Sequence, residues 1–350
     1  MASFGMPKEK IDNAKKNLPK ITLSSFIDPR NDWVLVPNGS LLGFFDWVPE
    51  NLRVGRWKTV AFPTLCGIVV LLYQTIPLED EYDLQVSTYP SEYTKFWYYN
   101  SIAFLLMAYM FFWICRHRSK GVVVTFTILS WIINFTRHGI NALAPFLPNQ
   151  HFLLKINHVL RFPALLGASI TFTIWNFVLF PYVYISKLDT EEKKNSFLDF
   201  NFKFRLVQQH VCNIIYAILN TMVTGSLVIE DGSGKRLPKL FDEEDLWYGG
   251  VYAMGYGLFY TMILDRLGVH LYPVFSPRSN LVLVTWLLII MLIFGFYKFW
   301  NWMMVNHFDI LSFERLLVVN LVLILSGITC LKVLVKPITS KPTPKEDKVE

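Results

Sequence analysis

Chemistry attaches first to a histidine set in an otherwise uncharged apolar run. His210 lies in the stretch VQQHVCNIIY. An ionisable side chain is costly in hydrocarbon, so one kept there implies a task. A neutral imidazole at such a place could act as general base for a hydroxyl nucleophile, or could simply hydrogen-bond a neighbouring helix. A second candidate is the stretch 94–101, TKFWYYNS, whose hydroxyls are those of Thr94, Tyr98, Tyr99 and Ser101. Tyr98 and Ser101 are three residues apart and would share a helix face. The same residues would equally suit an aromatic belt at a membrane boundary.

The remaining candidates point to structure. His151 and His158 sit seven apart in an amphipathic stretch, HFLLKINHVL, that could lie on a membrane surface. They have no carboxylate or third ligand nearby, so no metal is expected. His117, His138, His270 and His307 are expected to be solvated or interfacial. Gly255-Tyr256, Gly268 and Tyr272-Pro273 are expected to let helices approach and turn. No glycine-rich phosphate loop, serine elbow or zinc-protease motif is present, so no cofactor is expected. Cys66, Cys115, Cys212 and Cys330 all fall in apolar runs and read as small buried hydrophobes.

The elements that must position these residues are read from hydropathy. The 350 residues are 53% hydrophobic and 17% charged, against about 25% charged in soluble domains. The charges gather in short stretches between long apolar runs. The runs are 59–76, 96–115, 121–135, 162–185, 206–227, 246–264, 281–305 and 316–335. Most approach the roughly 20 residues that a bilayer core requires. The run 121–135 is short and reads as crossing, re-entrant or interfacial. The expected fold is therefore all-α, a polytopic integral membrane bundle of seven or eight transmembrane helices. It occupies 59–335, between a basic cytosolic segment at 1–58 and a Lys-rich cytosolic tail at 336–350. Within the first segment, 33–57 mixes aromatic residues with Pro and Gly and is expected to lie along the membrane surface.

Loop charge orients this arrangement. Residues 116–120, 187–205 and the two ends of the chain are basic, whereas 77–95 and 230–245 are acidic. If all eight runs cross, every basic segment falls on one side, which the positive-inside rule makes cytosolic. The net charge of +6 then suggests anionic lipid rather than nucleic acid as its counterpart. A membrane lipid or lipid ester is the expected partner. The endoplasmic reticulum or another endomembrane is the expected compartment.

The stretch GYGLFYTMILDRLGVHLYP, from Gly255 to Pro273, resembles the Gly-Tyr, Gly and Tyr-Pro signature of the androgen-induced and androgen-dependent transmembrane proteins. The Phe162-Pro163 start of a span that reaches Trp175 and ends near Pro181 is similar too. So is the Lys95-Phe96 entry to the second span. The resemblance covers about residues 57 to 305. It implies an intramembrane threonine hydrolase that cleaves fatty-acid esters of hydroxy fatty acids. It also implies that His210 is the catalytic histidine and that the nucleophile slot falls on Tyr98. Ser101 and Thr94 are the alternative hydroxyls. The chain departs from the family in having Tyr98 in the threonine slot and Leu206 where an asparagine precedes the histidine. A non-catalytic lipid-binding or scaffolding membrane protein is therefore the alternative. A transporter ranks below both, because the runs hold almost no acidic residues. Topology bears on the choice. If 121–135 crosses, Tyr98 and His210 open to opposite faces, so a hydrolase of this kind needs that run to be re-entrant.

Overall fold

A computed structural model describes residues 61–74, 94–117, 124–147, 150–186, 188–227, 241–265, 271–272, 276–278, 281–306 and 313–325. The segment 1–58, its surface stretch 33–57, the tail 336–350, Cys330, Gly268, Pro273, His270 and His307 lie outside the described residues. Every described element is helical. In chain order they are α1 (Ala61–Gln74), α2 (Thr94–His117), α3 (Phe126–Leu143), α4 (Gln150–Val159), α5 (Arg161–Thr173), α6 (Phe180–Ser186), α7 (Glu191–Asn201), α8 (Phe204–Val207), α9 (Asn213–Leu227), α10 (Glu243–Phe259), α11 (Val282–Asn306) and α12 (Phe313–Leu325). A short 3-10 turn, Ala144–Phe146, follows α3. Three π-helical segments interrupt longer helices: π1 (Ile174–Leu179) joins α5 to α6, π2 (Gln208–Cys212) joins α8 to α9, and π3 (Tyr260–Leu264) extends α10.

Side-chain contacts fix the direction of each helix. Trp97 donates its indole N–H to the Ala142 carbonyl at 2.9 Å, and Phe104 stacks on Phe135, so α2 and α3 are antiparallel. Arg137 bonds Asn157, and Gly167 lies against Ser130, so α5 runs antiparallel to α3. The pair α2 and α9 is antiparallel as well, because Asn100 meets Asn220 while Trp113 meets Arg205. Arg161 holds Asp245, and Phe162 touches Gly249, which sets α10 parallel to α5. Trp286 then packs on Gly257 and Asn301 accepts from the Phe241 amide, returning α11 antiparallel to α10. The result is an up-and-down bundle. One end carries Trp97, Ala142, Arg161, Asp245 and Asn301; the other carries Trp113, Arg205, Phe126 and Trp286.

The run 121–135 is part of a longer helix. Thr125 caps α3 by accepting from the Ile128 amide at 3.3 Å. Its 18 residues span about 27 Å, close to a bilayer core. Hydropathy ends the run at Phe135 because Arg137, His138 and Asn141 follow. Those residues turn inward, so the helix continues through them. Residues 150–159 likewise do not lie apart on a surface. They form α4, whose Leu154, Asn157 and His158 are buried.

Among the described residues, three helical stretches are long and apolar enough to cross a membrane: Phe96–Arg116, Phe152–Ser186 and Val282–Met303. This is compatible with an integral membrane protein. The outward faces agree. On α2, Tyr98, Ile102, Leu105, Tyr109 and Phe112 recur every three to four residues and are more than half exposed. On α11, Val284, Leu287, Met291 and Phe294 do the same. Continuous apolar stripes of this kind mark a face that meets lipid or a partner. Cys66 and Cys115 are exposed on such faces, whereas Cys212 is buried as the sequence suggested.

Glycines set the closest helix approaches, though not the one in the Gly-Tyr pair. A methyl group at Gly249 would stand 2.4 Å from the Phe162 ring, and one at Gly257 would stand 2.2 Å from Trp286. Gly255 has nothing within 4 Å.

Candidate functional site

Beside an apolar core of Met107, Met110, Trp131 and Leu219, the interior between α2, α3, α4 and α9 holds a polar network that runs from one helix to the next. Asn100 on α2 fixes its amide by donating to the Phe96 carbonyl at 2.8 Å. Its Oδ1 then becomes a hub. It lies 2.7 Å from His138 Nδ1 on α3 and accepts from Asn220 Nδ2 on α9 at 2.9 Å. An amide oxygen can only accept, so the Asn100 contact is a hydrogen bond in the tautomer with the proton on Nδ1; Asn220 Nδ2 lies 3.2 Å from the same nitrogen. Asn141, one turn beyond His138, accepts from Asn157 Nδ2 at 2.5 Å. Asn157 Oδ1 in turn accepts from Arg137 Nε at 2.8 Å, and Arg137 Nη1 donates to Thr221 Oγ1 at 2.9 Å. A second strand of the network lies deeper. Asn134 donates to Asn213 Oδ1 at 2.7 Å, and Asn213 donates to Ser130 Oγ at 3.1 Å. All of these side chains are essentially fully buried.

Local sequence explains why they converge. On α3, Ser130, Asn134, Arg137, His138 and Asn141 recur at helical spacing, forming one polar stripe on an otherwise apolar helix. Asn213 and Asn220 are two turns apart on α9 and meet that stripe from the other side. Tyr99 and Tyr216 close the site with their rings edge-on to His138 at 5.6 and 6.0 Å between centroids. Near the same end of the bundle, Arg161 is bound by both Asp245 and Asp242. These two carboxylates also form the capping box that starts α10.

The four residues singled out from sequence fall elsewhere. Tyr98 is 58% exposed on the outer face of α2, its ring edge-on to Trp97. Ser101 is half-buried, and its Oγ has no hydrogen-bond partner among the described residues. Thr94 is the first residue of α2, and its side chain lies outside the described residues. His210 sits in π2, its ring stacked on Trp175 of π1 at 4.3 Å, while Asn176 donates to its backbone carbonyl at 3.2 Å. The contacts Asn100–Asn220 and Trp113–Arg205 set the register of α2 against α9. They bring His210 level with about Tyr109, some eight residues or about 12 Å along the axis from Ser101. Among the described residues no hydrogen bond joins His210 to Ser101 or Tyr98.

His138, expected at a solvated span end, is fully buried at the centre of the network, and His158 is 3% exposed. The signal that could have found the site is the polar stripe of α3, read as a continuation of the apolar run rather than its end. Chemically, the site offers one cation, many amide donors and acceptors, and an imidazole. Among the described residues, no Ser or Thr hydroxyl bonds His138, and no group of three potential metal ligands occurs. The arrangement offers hydrogen-bonding partners to a polar group. No family model matches the chain, and neither a curated protein nor a solved structure matches it.

Proposed function

We propose that this chain is a multi-pass integral membrane protein of seven or eight crossings, and that its bundle holds the polar head of a membrane lipid without cleaving it. The observation that carries the reading is the buried network around Asn100, His138 and Arg137. Placing a guanidinium, an imidazole and six carboxamides inside an apolar bundle is costly, and in membranes such groups mark a binding site or pathway by default. Arg137 and the carboxamides suit a carboxylate, ester or hydroxyl head. The flanking apolar helices suit its chain. The up-and-down packing of α2, α3 and α5 supports a crossing by α3. It puts Tyr98 and His210 toward opposite ends, which favours binding over hydrolysis.

The test uses a diazirine-bearing fatty acid crosslinked to the full-length protein in membranes. Crosslinks are expected on peptides of α2, α3 and α9, and they should fall in Asn220→Ala. Crosslinking spread evenly over the outer faces, and unchanged in that variant, would sink the reading.

A second reading, the lipid ester hydrolase, follows from the resemblance to the androgen-induced and androgen-dependent proteins. One observation favours it: Ser101 Oγ and His210 Nδ1 are both buried atoms without a hydrogen-bond partner among the described residues. It predicts labelling of Ser101 or Tyr98 by a fluorophosphonate probe that disappears in His210→Ala. The lipid-holding reading predicts no labelling that depends on His210.

A further inference from the structure

Among the described residues, the cations of α2 and of 189–205 at the Trp113 end of the bundle divide into two groups. On α7, Lys193 bonds Asp189 at 2.7 Å and Lys194 bonds Glu191 at 3.0 Å. The Lys193 ammonium, by hydrogen bonding, holds the Asp189 carboxyl below the usual carboxylate range. These lysines are neutralised where they stand. A few residues on, the guanidinium carbon of Arg205 lies over the Trp113 ring at 3.1 Å from its centroid. Arg116 is exposed three residues after Trp113, on the same face of α2, and Lys203 is exposed two residues before Arg205. Among the described residues, none of Arg116, Lys203 and Arg205 has a carboxylate within ion-pair distance. Directly beneath them the outer face of α2 is apolar, with Phe112 64% and Tyr109 58% exposed.

We infer that Arg116, Arg205 and Lys203 form a docking site for the phosphate of an anionic phospholipid, whose acyl chains lie along Tyr109 and Phe112. The inference rests on the membrane-crossing reading above. Three features converge on this occupant. Among the described residues the charge is cationic and meets no carboxylate, while the neighbouring lysines are paired. The contact with Trp113 holds one guanidinium in place, so its N–H groups can meet phosphate oxygens. An apolar stripe runs from the cations along the helix, which a free anion does not need and a lipid does. This is also the end that loop charge places in the cytosol, where anionic lipids give the leaflet its negative potential.

The test measures binding of fluorescent dioctanoyl phosphatidylserine to the full-length protein in neutral detergent, with dioctanoyl phosphatidylcholine and inorganic phosphate as competitors. Phosphatidylserine should bind, and neither competitor should displace it at equal concentration. Arg116→Gln and Arg205→Gln should each weaken binding about fivefold. Lys193→Gln with Lys194→Gln should leave it unchanged. Equal competition by inorganic phosphate would overturn the lipid assignment. An equal loss in the paired-lysine variant would reduce the site to net charge and overturn it too. Arg116 is exposed, so Arg116→Gln keeps the test decisive if Arg205→Gln does not fold. Unchanged binding in Arg116→Gln would refute the site. Release of the wild-type chain from membranes by alkaline carbonate would sink the crossing itself. An embedded chain with no preference for phosphatidylserine would sink only this inference.

Discussion

The amide network and the junction of π1 with π2 lie toward opposite ends of the bundle and are held by different contacts. Toward the end that carries Trp97 and Asp245, helices are joined by buried polar bonds. Arg161 is clasped by Asp242 and Asp245, and the amide network links α2, α3, α4 and α9. Toward the opposite end, all three π-helical segments occur; there Trp175 of π1 stacks on His210 of π2, and Asp265, just after π3, holds Arg278 in a buried ion pair. A buried hydrogen bond is directional and fixes register. A ring contact tolerates sliding, and a π turn already carries an extra residue. The amide network therefore specifies which helices meet and at what height, and the junction of π1 with π2 can adjust.

That contrast can be broken most forcefully at the clasp. Asp245→Leu leaves the Arg161 guanidinium facing a lost partner at 1% exposure. It should destabilise the protein by about 3–5 kcal/mol, read as a fall in the thermal midpoint in detergent. Arg161→Met combined with Asp245→Leu should cost less than Asp245→Leu alone. A double variant at least as damaged would mean that packing, not charge, joins these helices.

Next in size is the amide hub. Asn100→Leu leaves His138 Nδ1 and Asn220 Nδ2 without the Asn100 oxygen and should cost about 1–3 kcal/mol. Glycine packing gives a matched pair of similar size. Gly257→Ala forces its methyl group into Trp286 and should cost about 1–3 kcal/mol. Gly255→Ala meets open space and should be neutral or stabilise by up to about 1 kcal/mol, because it relieves a glycine inside a helix. Equal effects at the two glycines would show that α10 does not pack on Trp286 as described.

Effects should be smaller at the junction of π1 with π2. His210→Ala removes one stacked ring pair and should cost about 0.5–1.5 kcal/mol. Amide hydrogen exchange across 208–212 should be faster than across 213–220, because π2 lacks the regular ladder of α9. The smallest effect belongs to Tyr98→Phe. Its ring is largely exposed, so the variant should stay within about 0.5 kcal/mol of the parent. A large loss there would mean that Tyr98 meets a partner.

Helix positions were largely legible in the sequence, because each apolar run is a local property of its own residues. The run 162–185 lies inside the stretch 150–186, and 281–305 closely matches Val282–Asn306. The site was far less legible. His210 drew attention as a lone imidazole in an apolar stretch, yet its neighbour is a tryptophan ring. His138 reads as a solvated or interfacial residue in the sequence because it follows the end of the apolar run at Phe135. A charge in a linear sequence reads as solvent exposure, and only its neighbours in space reveal that it is satisfied inside.

Taken alone, the chain determined that its long uncharged stretches would be helices and that its cations would gather in particular connections, since both follow from composition over a few turns. What the tertiary structure decided was which polar residues share an interior. Asn100, His138, Asn157 and Asn220 are separated by up to 120 positions, and they meet because antiparallel packing superposes their heights. That coincidence depends on helix direction and register, which the grip of Arg161 on Asp245 and the seat of Gly257 on Trp286 help to set.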